Sequence, residues 1–177
     1  MIDKELWDKC LEFHGHECPG LAIGYRAALY VQELLDIDFS LDEEIVCVSE
    51  NDACCIDAIQ VITGCTAGKG NLIFHIVGKM AFSFYDRNSG ESVRLVLKPL
   101  DFSMNRAELF EYIHNVDSDD LFDVKPTVIE LPGEAKRYDN VTCSCCGEET
   151  AEVFIKYVDG KAFCLDCLDC LDCLENE

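Results

Sequence analysis

The sequence predicts an α+β fold, with helices packed on an antiparallel or mixed sheet and a small C-terminal zinc-ribbon or zinc-finger module. Helix-forming patterns fill most of residues 3–62, strand-like runs follow over residues 72–97, and two Cys-x-x-Cys knuckles lie near the C-terminus. Pro132-Gly133-Glu134 marks the domain boundary. We therefore expect a core domain over residues 1–131 and a zinc module with a cysteine-rich acidic tail over residues 132–177.

The predicted helices begin where a capping residue or a proline precedes an amphipathic run. Asp3 can cap the first helix, Pro19 suits the first turn of the second, and Ser103 can cap the fourth. Thr63-Gly64 stops the third helix. In chain order, the predicted helices cover residues 4–13, 19–36, 54–62, 103–114 and 119–122.

The predicted strands are short runs rich in β-branched and aromatic residues, separated by turn signals. Gly78-Lys79 and Asn88-Ser89-Gly90 are predicted hairpin turns, which would pair the second strand with the third and the third with the fourth. In chain order, the predicted strands of the core cover residues 44–50, 72–77, 81–85, 93–97 and 127–131.

Composition argues against several classes of protein. The formal net charge of −21 opposes nucleic-acid binding, because such binding depends on Lys and Arg that neutralise phosphates. No apolar stretch approaches the length of a membrane span, and residues 1–5 do not begin a signal peptide, so we expect a cytoplasmic protein. In a reducing compartment, 13 cysteines indicate metal binding or thiol chemistry and are easiest to maintain in an anaerobe.

Four C-terminal cysteines have the spacing of a structural zinc site, with disulfides as the alternative that a reducing compartment disfavours. Residues 153–158 and 161–163 form a predicted hairpin around Asp159-Gly160 between the two knuckles. The pattern Cys-x2-Cys-x17-Cys-x2-Cys is formed by Cys143, Cys146, Cys164 and Cys167.

The tail repeats Cys-Leu-Asp with a period of three, which leaves the zinc register open. Cys170 could replace Cys164 or Cys167, or Cys170 and Cys173 could be spare thiols. Residues 134–177 carry four basic against eleven acidic side chains. This module is therefore a poor partner for DNA or RNA and suits a basic protein surface better.

A second group of His and Cys residues lies between the first two predicted helices. In an extended segment His14, His16 and Cys18 project to one side, so all three could face one cavity. Cys18 precedes Pro19 at a helix start, where the helix dipole favours a thiolate. Imidazole and thiolate are good ligands for zinc and other borderline metals. The alternative is that one His bonds to local backbone and Cys18 is a small buried residue.

A third group surrounds the third predicted helix. Cys54 lies at the helix start, and Asp57 lies one turn along on the same face. Cys65 follows the helix, so it needs the fold to bring it near His16. Lys69, within a glycine-rich loop, could help to hold an anion or could be a solvated surface charge.

Two of these stretches resemble the motifs of FmdE, the family named after the E subunit of formylmethanofuran dehydrogenase. The first is residues 13–20 with Gly24-Tyr25-Arg26, and the C-terminal knuckles resemble a zinc finger that some members append. The second motif covers residues 54–60 and 63–72 and continues through Gly78-Lys79 and Ala81-Phe82. Departures from the family pattern are Cys55, residues 74–77, Cys170 and Cys173.

The resemblance implies an α+β core that forms an intertwined homodimer, with a zinc finger for protein interaction, metal sensing or nucleic-acid regulation. We expect a dimeric metal-binding accessory protein, whose partner would be a molybdenum or tungsten oxidoreductase or another protein. In addition to the Zn²⁺ of the finger, a second metal, with zinc as the first choice, would bind His16, Cys54 and Cys65.

His14 is a further candidate ligand of this core metal, and Cys18, Asp57 and Lys69 are candidate catalytic groups. Two other functions compete with the accessory role. One is a stand-alone metal-dependent enzyme that acts on a one-carbon or other small substrate at the core site. The other is a zinc-finger regulator of transcription or RNA, which the acidic composition disfavours.

Overall fold

The computed structural model describes residues 3–101 and 103–168, and the chain divides into two units between Ala135 and Lys136. Within the described residues, the first unit packs five α-helices on a five-stranded mixed sheet, as the sequence predicts. The second unit consists of two short hairpins, a single 3-10 turn and the cysteine knuckles.

The helices of the first unit are α1 (Lys4–His14), α2 (Pro19–Leu35), α3 (Cys55–Thr63), α4 (Arg106–Asn115) and α5 (Ser118–Leu121). Its strands are β1 (Ile45–Ser49), β2 (Leu72–Phe74), β3 (Ala81–Asp86), β4 (Ser92–Leu97) and β5 (Phe122–Lys125). In the second unit, the strands are β6 (Asn140–Thr142), β7 (Glu149–Ala151), β8 (Ile155–Val158) and β9 (Lys161–Cys164).

Helix starts follow local side-chain chemistry, with one correction. Asp3 caps α1, as predicted, by accepting the Leu6 N–H at 3.1 Å. The prediction that Ser103 caps the fourth helix is wrong, because Asn105 accepts the N–H groups of Ala107 and Glu108 instead. The Glu108 carboxylate reaches back to the Asn105 N–H, so a complete capping box fixes the start of α4.

The predicted hairpin at Gly78-Lys79 is wrong. The sheet order is β2-β1-β3-β4-β5, with β2 parallel to β1 and the other neighbours antiparallel. The N–H groups of Val77 and Gly78 donate to the Glu50 carbonyl at 3.1 and 3.0 Å, so the chain crosses the end of β1. Strands β2 and β3 are therefore separated by β1, and α3 supplies the crossover that a parallel pair needs.

The predicted strand over residues 127–131 is also wrong. The fifth strand is β5, which pairs with β4 from Phe122 opposite Leu97. Pro126 follows β5 directly and has no N–H to continue the ladder. The next segment is held differently, because the Tyr85 hydroxyl donates to the Ile129 carbonyl at 2.6 Å.

Helix α2 is the centre of the first unit and approaches α3 at backbone distance. A Cβ atom built on Gly24 would lie 1.9 Å from the Cys55 carbonyl oxygen, and one built on Gly20 would lie 3.0 Å from Cys54 Cβ. The two glycines are four residues apart and share one helix face. Together they allow the start of α3 to sit directly against α2.

Arg26 joins α2 to the end of α4. Its Nη1 donates to the Ile113 carbonyl and its Nη2 to the Val116 carbonyl, both at 2.6 Å. Nη2 also donates to Ser118 Oγ at 3.1 Å. These bonds satisfy carbonyls at a helix end that lack intrahelical partners, and they hold α4 against α2.

His114 on α4 packs inside an aromatic cluster. Its ring centroid lies 4.6 Å from that of Trp7 and 4.3 Å from that of Phe110. Neither ring nitrogen has a hydrogen-bond partner among the described residues, and the residue is 7% exposed. Burial lowers the pKa of His114 below its usual 6.5. The folded chain therefore favours the neutral imidazole.

Replacing Gly24 by alanine should lower the free energy of unfolding by about 3 kcal/mol, because the new Cβ must displace the Cys55 backbone. Urea denaturation followed by circular dichroism measures this change. Gly68→Ala is the matched control, since a Cβ there meets nothing within 4 Å, and it should change stability by less than about 0.5 kcal/mol. Equal stability of the two variants would contradict the α2–α3 contact.

His114 should make stability fall in mild acid. The unfolded chain binds the proton near pH 6.5 and the folded chain only at lower pH, so the loss begins below about pH 6.5. One such group contributes at most about 1.4 kcal/mol per pH unit. Urea midpoints at pH 7.5 and 5.5 should differ less in His114→Phe than in the wild type, and an equal difference in the two proteins would contradict this prediction.

Candidate functional site

The break between α1 and α2 brings three metal-binding side chains together. The ligand atoms of His14, His16 and Cys18 all lie within 4.8 Å of one another. Gly15 makes the break possible, because it adopts φ 87° while its N–H still donates to the Leu11 carbonyl at 2.8 Å. Imidazole nitrogens and a thiol at this spacing could hold a metal ion.

Asp57 of α3 completes a hydrogen-bonded chain through this group. His14 Nδ1 lies 2.7 Å from Asp57 Oδ2, and His14 Nε2 lies 3.6 Å from Cys18 Sγ. The Asp57 carboxylate accepts a hydrogen bond from the Nδ1–H of His14, and Nε2 on the other side of the ring faces Cys18. Cys18 also caps α2, since its Sγ accepts the Leu21 N–H at 3.2 Å. The hydrogen-bonded series therefore runs from Asp57 through His14 to Cys18.

Cys54 lies beside this group and is exposed. A Cβ built on Gly20 would be 3.8 Å from Cys18 Sγ and 3.9 Å from Cys54 Sγ, so the two thiols flank that glycine. Partial burial, followed by the influence of Cys18, raises the pKa of Cys54. Gly20 thus opens the space in which the two cysteines meet.

Hydrogen bonds around the end of β1 position the start of α3. Asn51 Oδ1 accepts the Ala53 N–H and the Cys55 thiol, each at 3.1 Å, and Asn51 Nδ2 donates to the Lys79 carbonyl at 2.9 Å. The preceding Glu50 is buried, and Arg94 of β4 donates to its two carboxylate oxygens at 2.6 and 3.0 Å. These contacts fix the direction in which Cys54 and Asp57 enter the site.

The structure does not bring Cys65 to His16 and Cys54. Cys65 is fully buried, its Sγ donates to the Ile45 carbonyl at 3.4 Å, and burial raises its pKa to about 11. The reason is geometric: Cys54 precedes α3 and Cys65 follows it, and the 9 residues of the helix rise about 14 Å. Residues at opposite ends of this helix cannot share one ion.

Lys69 likewise lies outside the His14 group. Its Nζ donates to the Ser40 carbonyl at 2.8 Å and lies 5.8 Å from the centroid of the Phe39 ring. The link that sequence reasoning missed is the one from His14 to Asp57, which are 43 residues apart. Only the packing of α3 against the α1–α2 break joins them. The sequence does show an acidic side chain one turn after Cys54, but not the histidine with which it pairs.

The second unit gathers the four predicted cysteines. The Sγ atoms of Cys143, Cys146, Cys164 and Cys167 all lie within 4.8 Å of one another. The first knuckle lies in the turn between β6 and β7, and the second begins at the end of β9. Asp159 and Gly160, with φ 49° and 77°, form the two-residue turn between β8 and β9. Cys170 and Cys173 lie outside the described residues.

The donors of this cluster fit a metal ion. The Cys164 N–H donates to Cys143 Sγ at 3.4 Å, and this bond is the main reason that the pKa of Cys143 falls to about 6. A thiolate already stabilised by backbone N–H groups is the form that binds metals. Four sulfur donors are the number that closes a tetrahedral shell around an ion.

Among the described residues, no helix is both long enough and apolar enough to cross a membrane.

A protein-family match lies within the first unit. The family model described as "FmdE, Molybdenum formylmethanofuran dehydrogenase operon" matches residues 13–123. A probable S-adenosyl-L-methionine-binding protein of Archaeoglobus fulgidus is 34% identical over 110 residues, which cover 58% of this chain and 30% of that protein. The chain thus matches less than a third of its curated relative.

A solved structure extends the similarity to nearly the whole chain. A tungsten formylmethanofuran dehydrogenase FmdE-like protein from Syntrophus aciditrophicus superposes with a TM-score of 0.70 at 26% identity. The match covers 93% of this chain and 91% of that one. The residues 13–123 of the family match contain the whole His14 group, Cys54 and Asp57.

The double variant Cys143→Ser/Cys146→Ser should unfold the second unit and leave the first unit folded. A small module of short hairpins has little core, so we expect its folding to depend on a metal ion bound by the four cysteines. In ¹H–¹⁵N correlation spectra, amide peaks of residues 140–164 should collapse toward random-coil shifts. Cys145→Ser, which changes the cysteine of the first knuckle that lies outside the four-cysteine group, is the matched control and should keep those peaks.

Proposed function

The chain belongs to the FmdE family, and on that premise we propose that it is a metal-binding accessory protein with two distinct metal sites. One is a reactive centre in the core domain, and the other is a structural zinc finger that docks a partner. The observation that carries the proposal is the convergence of His14, His16 and Cys18, with Asp57 bonded behind His14.

In the core centre, the ligands would be one nitrogen of each histidine and the Cys18 thiolate. Asp57 would act as the outer carboxylate that fixes the orientation of His14, as such partners do for histidines on metals. Exposed Cys54 adjoins Cys18 and would border the remaining coordination position. We propose this ligand set in place of His16, Cys54 and Cys65, the ligands expected from the sequence.

Mixed nitrogen and sulfur donors favour zinc as the core metal, while iron, nickel and copper use the same ligand types. With three protein ligands, one coordination position stays open for a small molecule or water. When bound, the metal would supply Lewis acidity at that position. The two histidines and Cys18 would hold the metal, and Asp57 orients His14. Cys18 itself is buried at the start of α2.

The finger site is proposed to hold Zn²⁺, because four cysteines form the closed S4 shell of structural zinc. Its docking role is supported by surface chemistry: Phe154 and Tyr157 are 56% and 68% exposed on a module whose sequence is acidic. A basic partner surface with apolar side chains would match it. We propose a molybdenum or tungsten oxidoreductase as that partner, in keeping with the family.

We also propose that the protein works in the cytoplasm as a homodimer. The family resemblance supports the dimer, and the edge of the sheet is compatible with it. Strand β2 is an edge strand, and the adjoining Phe74, Ile76 and Val77 are all more than two-fifths exposed. Burying this apolar edge against a second copy would remove both exposed side chains and unpaired strand edges from water.

A second candidate function is a stand-alone enzyme, and the Asp57–His14–Cys18 chain favours it. In that order, a carboxylate orients an imidazole that faces a thiol at a helix start, which is how a cysteine nucleophile is activated. Cys18 would then attack a small carbonyl substrate, with His14 taking the thiol proton. Such an enzyme would turn over without any partner, whereas an accessory protein would not.

Elemental analysis of protein purified without oxygen tests the two-site proposal. We expect two metals per chain in the wild type and one in Cys143→Ser/Cys146→Ser. Cys18→Ala should lose the core metal, and Asp57→Asn should weaken it about 10- to 100-fold in a chelator competition.

Cys65→Ala is the matched control, because Cys65 is buried away from the His14 group, and it should keep both metals. If Cys65→Ala loses the core metal while Cys18→Ala keeps it, the ligand set of His16, Cys54 and Cys65 is restored. One metal in the wild type that falls to none in the finger variant would overturn the core site.

A further inference from the structure

A cavity of about 500 Å³ opens beside Cys18. One wall is the start of α2, and the other is the first turns of α4. The lining residues are Glu17, Cys18, Pro19, Arg106, Ala107, Phe110 and Glu111. No motif in the sequence connects these two walls, since 89 residues separate Glu17 from Arg106. The cavity is large enough for a small organic molecule whose end would reach the reactive centre.

Arg106 is the one cation that lines this cavity among the described residues. Its Nη2 donates to the Glu17 carbonyl at 3.1 Å, which holds the guanidinium at the cavity wall. Within the part of the chain that the structure describes, no carboxylate oxygen lies within 4.0 Å of it. Its remaining N–H donors are therefore not engaged in an ion pair, and a guanidinium in this state is suited to bind a planar carboxylate.

The remaining walls restrict the class of ligand. Phe110 is half-buried and, with the Pro19 ring, offers apolar surface next to the cation. Glu17 and Glu111 add two negative charges, and Glu111 Oε2 accepts the Asn115 amide at 3.1 Å rather than pairing with Arg106. The two acidic side chains outweigh the single arginine in charge, so they repel a dianion such as phosphate about twice as strongly as a monoanion. Only the direct, two-pronged contact that Arg106 can make with a carboxylate offsets this repulsion.

The geometry points to a binding site for a small monocarboxylate with an apolar carbon chain. The carboxylate pairs with Arg106, the chain lies on Phe110 and Pro19, and the far end faces Cys18. This inference deepens the proposed function and rests on it, because it makes the cavity the ligand entrance of the core centre. It names the ligand class for both the accessory and the enzymatic function.

The test uses butanoate as the probe and the uncharged isostere butanamide as its control. Both are titrated at constant ionic strength into the full-length ¹⁵N-labelled protein. We expect butanoate to bind in the millimolar range and to shift the amides of residues 17–20 and 106–111. Butanamide and inorganic phosphate should each bind at least about tenfold more weakly.

Two variants locate the charge that is responsible. Arg106→Gln keeps the polarity of the side chain without its charge and should weaken butanoate binding at least about tenfold. Lys125→Gln, which removes an exposed cation on β5, should leave binding unchanged. The inference is overturned if butanamide or phosphate binds as well as butanoate, if both variants weaken binding equally, or if no cavity amide shifts at up to about 50 mM probe.

Metal content separates this inference from the proposed function. Arg106→Gln should retain both metals, because it is not a ligand in the proposed centre. Metal present without butanoate binding refutes the carboxylate site and leaves the metal centre standing. Butanoate binding in a chain whose core holds no metal supports the carboxylate site and refutes the core metal.

Discussion

The close approach of α2 and α3 is the constraint on which the rest of the first unit depends. Gly24 has no room for a side chain, because a Cβ there would sit 1.9 Å from the Cys55 carbonyl oxygen. Ordinary packed helices lie roughly 8–10 Å apart at their axes, with side chains between them. Here the backbone of Cys55 contacts the backbone of Gly24 directly, so the start of α3 lies next to the first turns of α2. Every group of the core centre lies at that junction.

This junction explains why the centre is built from segments that are distant in sequence. The α1–α2 break supplies His14, His16 and Cys18, and α3 supplies Asp57. The Glu50–Arg94 pair and Asn51 fix the loop that leads into α3. A shift of α3 by one turn would separate Asp57 from His14. The reactive groups are therefore held by the packed helices and the sheet, which is the rigidity that metal and nucleophilic sites require.

The two cysteine-containing clusters differ in the number of metal-ligand atoms that they bring together. In the second unit, four sulfur atoms lie within 4.8 Å of one another, which is the number of donors that a structural ion takes. In the first unit, two imidazoles and one thiol leave a position open, and a cavity with Arg106 on its wall lies beside it. We propose that the set of four sulfur donors holds a structural ion, whereas the set of three donors in the first unit leaves room for a ligand.

The sequence by itself determined the α+β class, the Asp3 cap of α1, the start of α2 at Pro19, the cysteine knuckles and the grouping of His14, His16 and Cys18. Each of these depends on residues within a few positions of one another, where spacing and turn chemistry decide the geometry. Tertiary structure decided what crosses longer distances. It paired β2 in parallel with β1, placed the fifth strand before Pro126, put Cys65 at the far end of α3 from the His14 group, and joined Asp57 to His14. Local patterns carry no information on which helix faces meet. In this fold, α3 packs against the α2 face that carries Gly24, because only a residue without a side chain leaves room there for the Cys55 backbone.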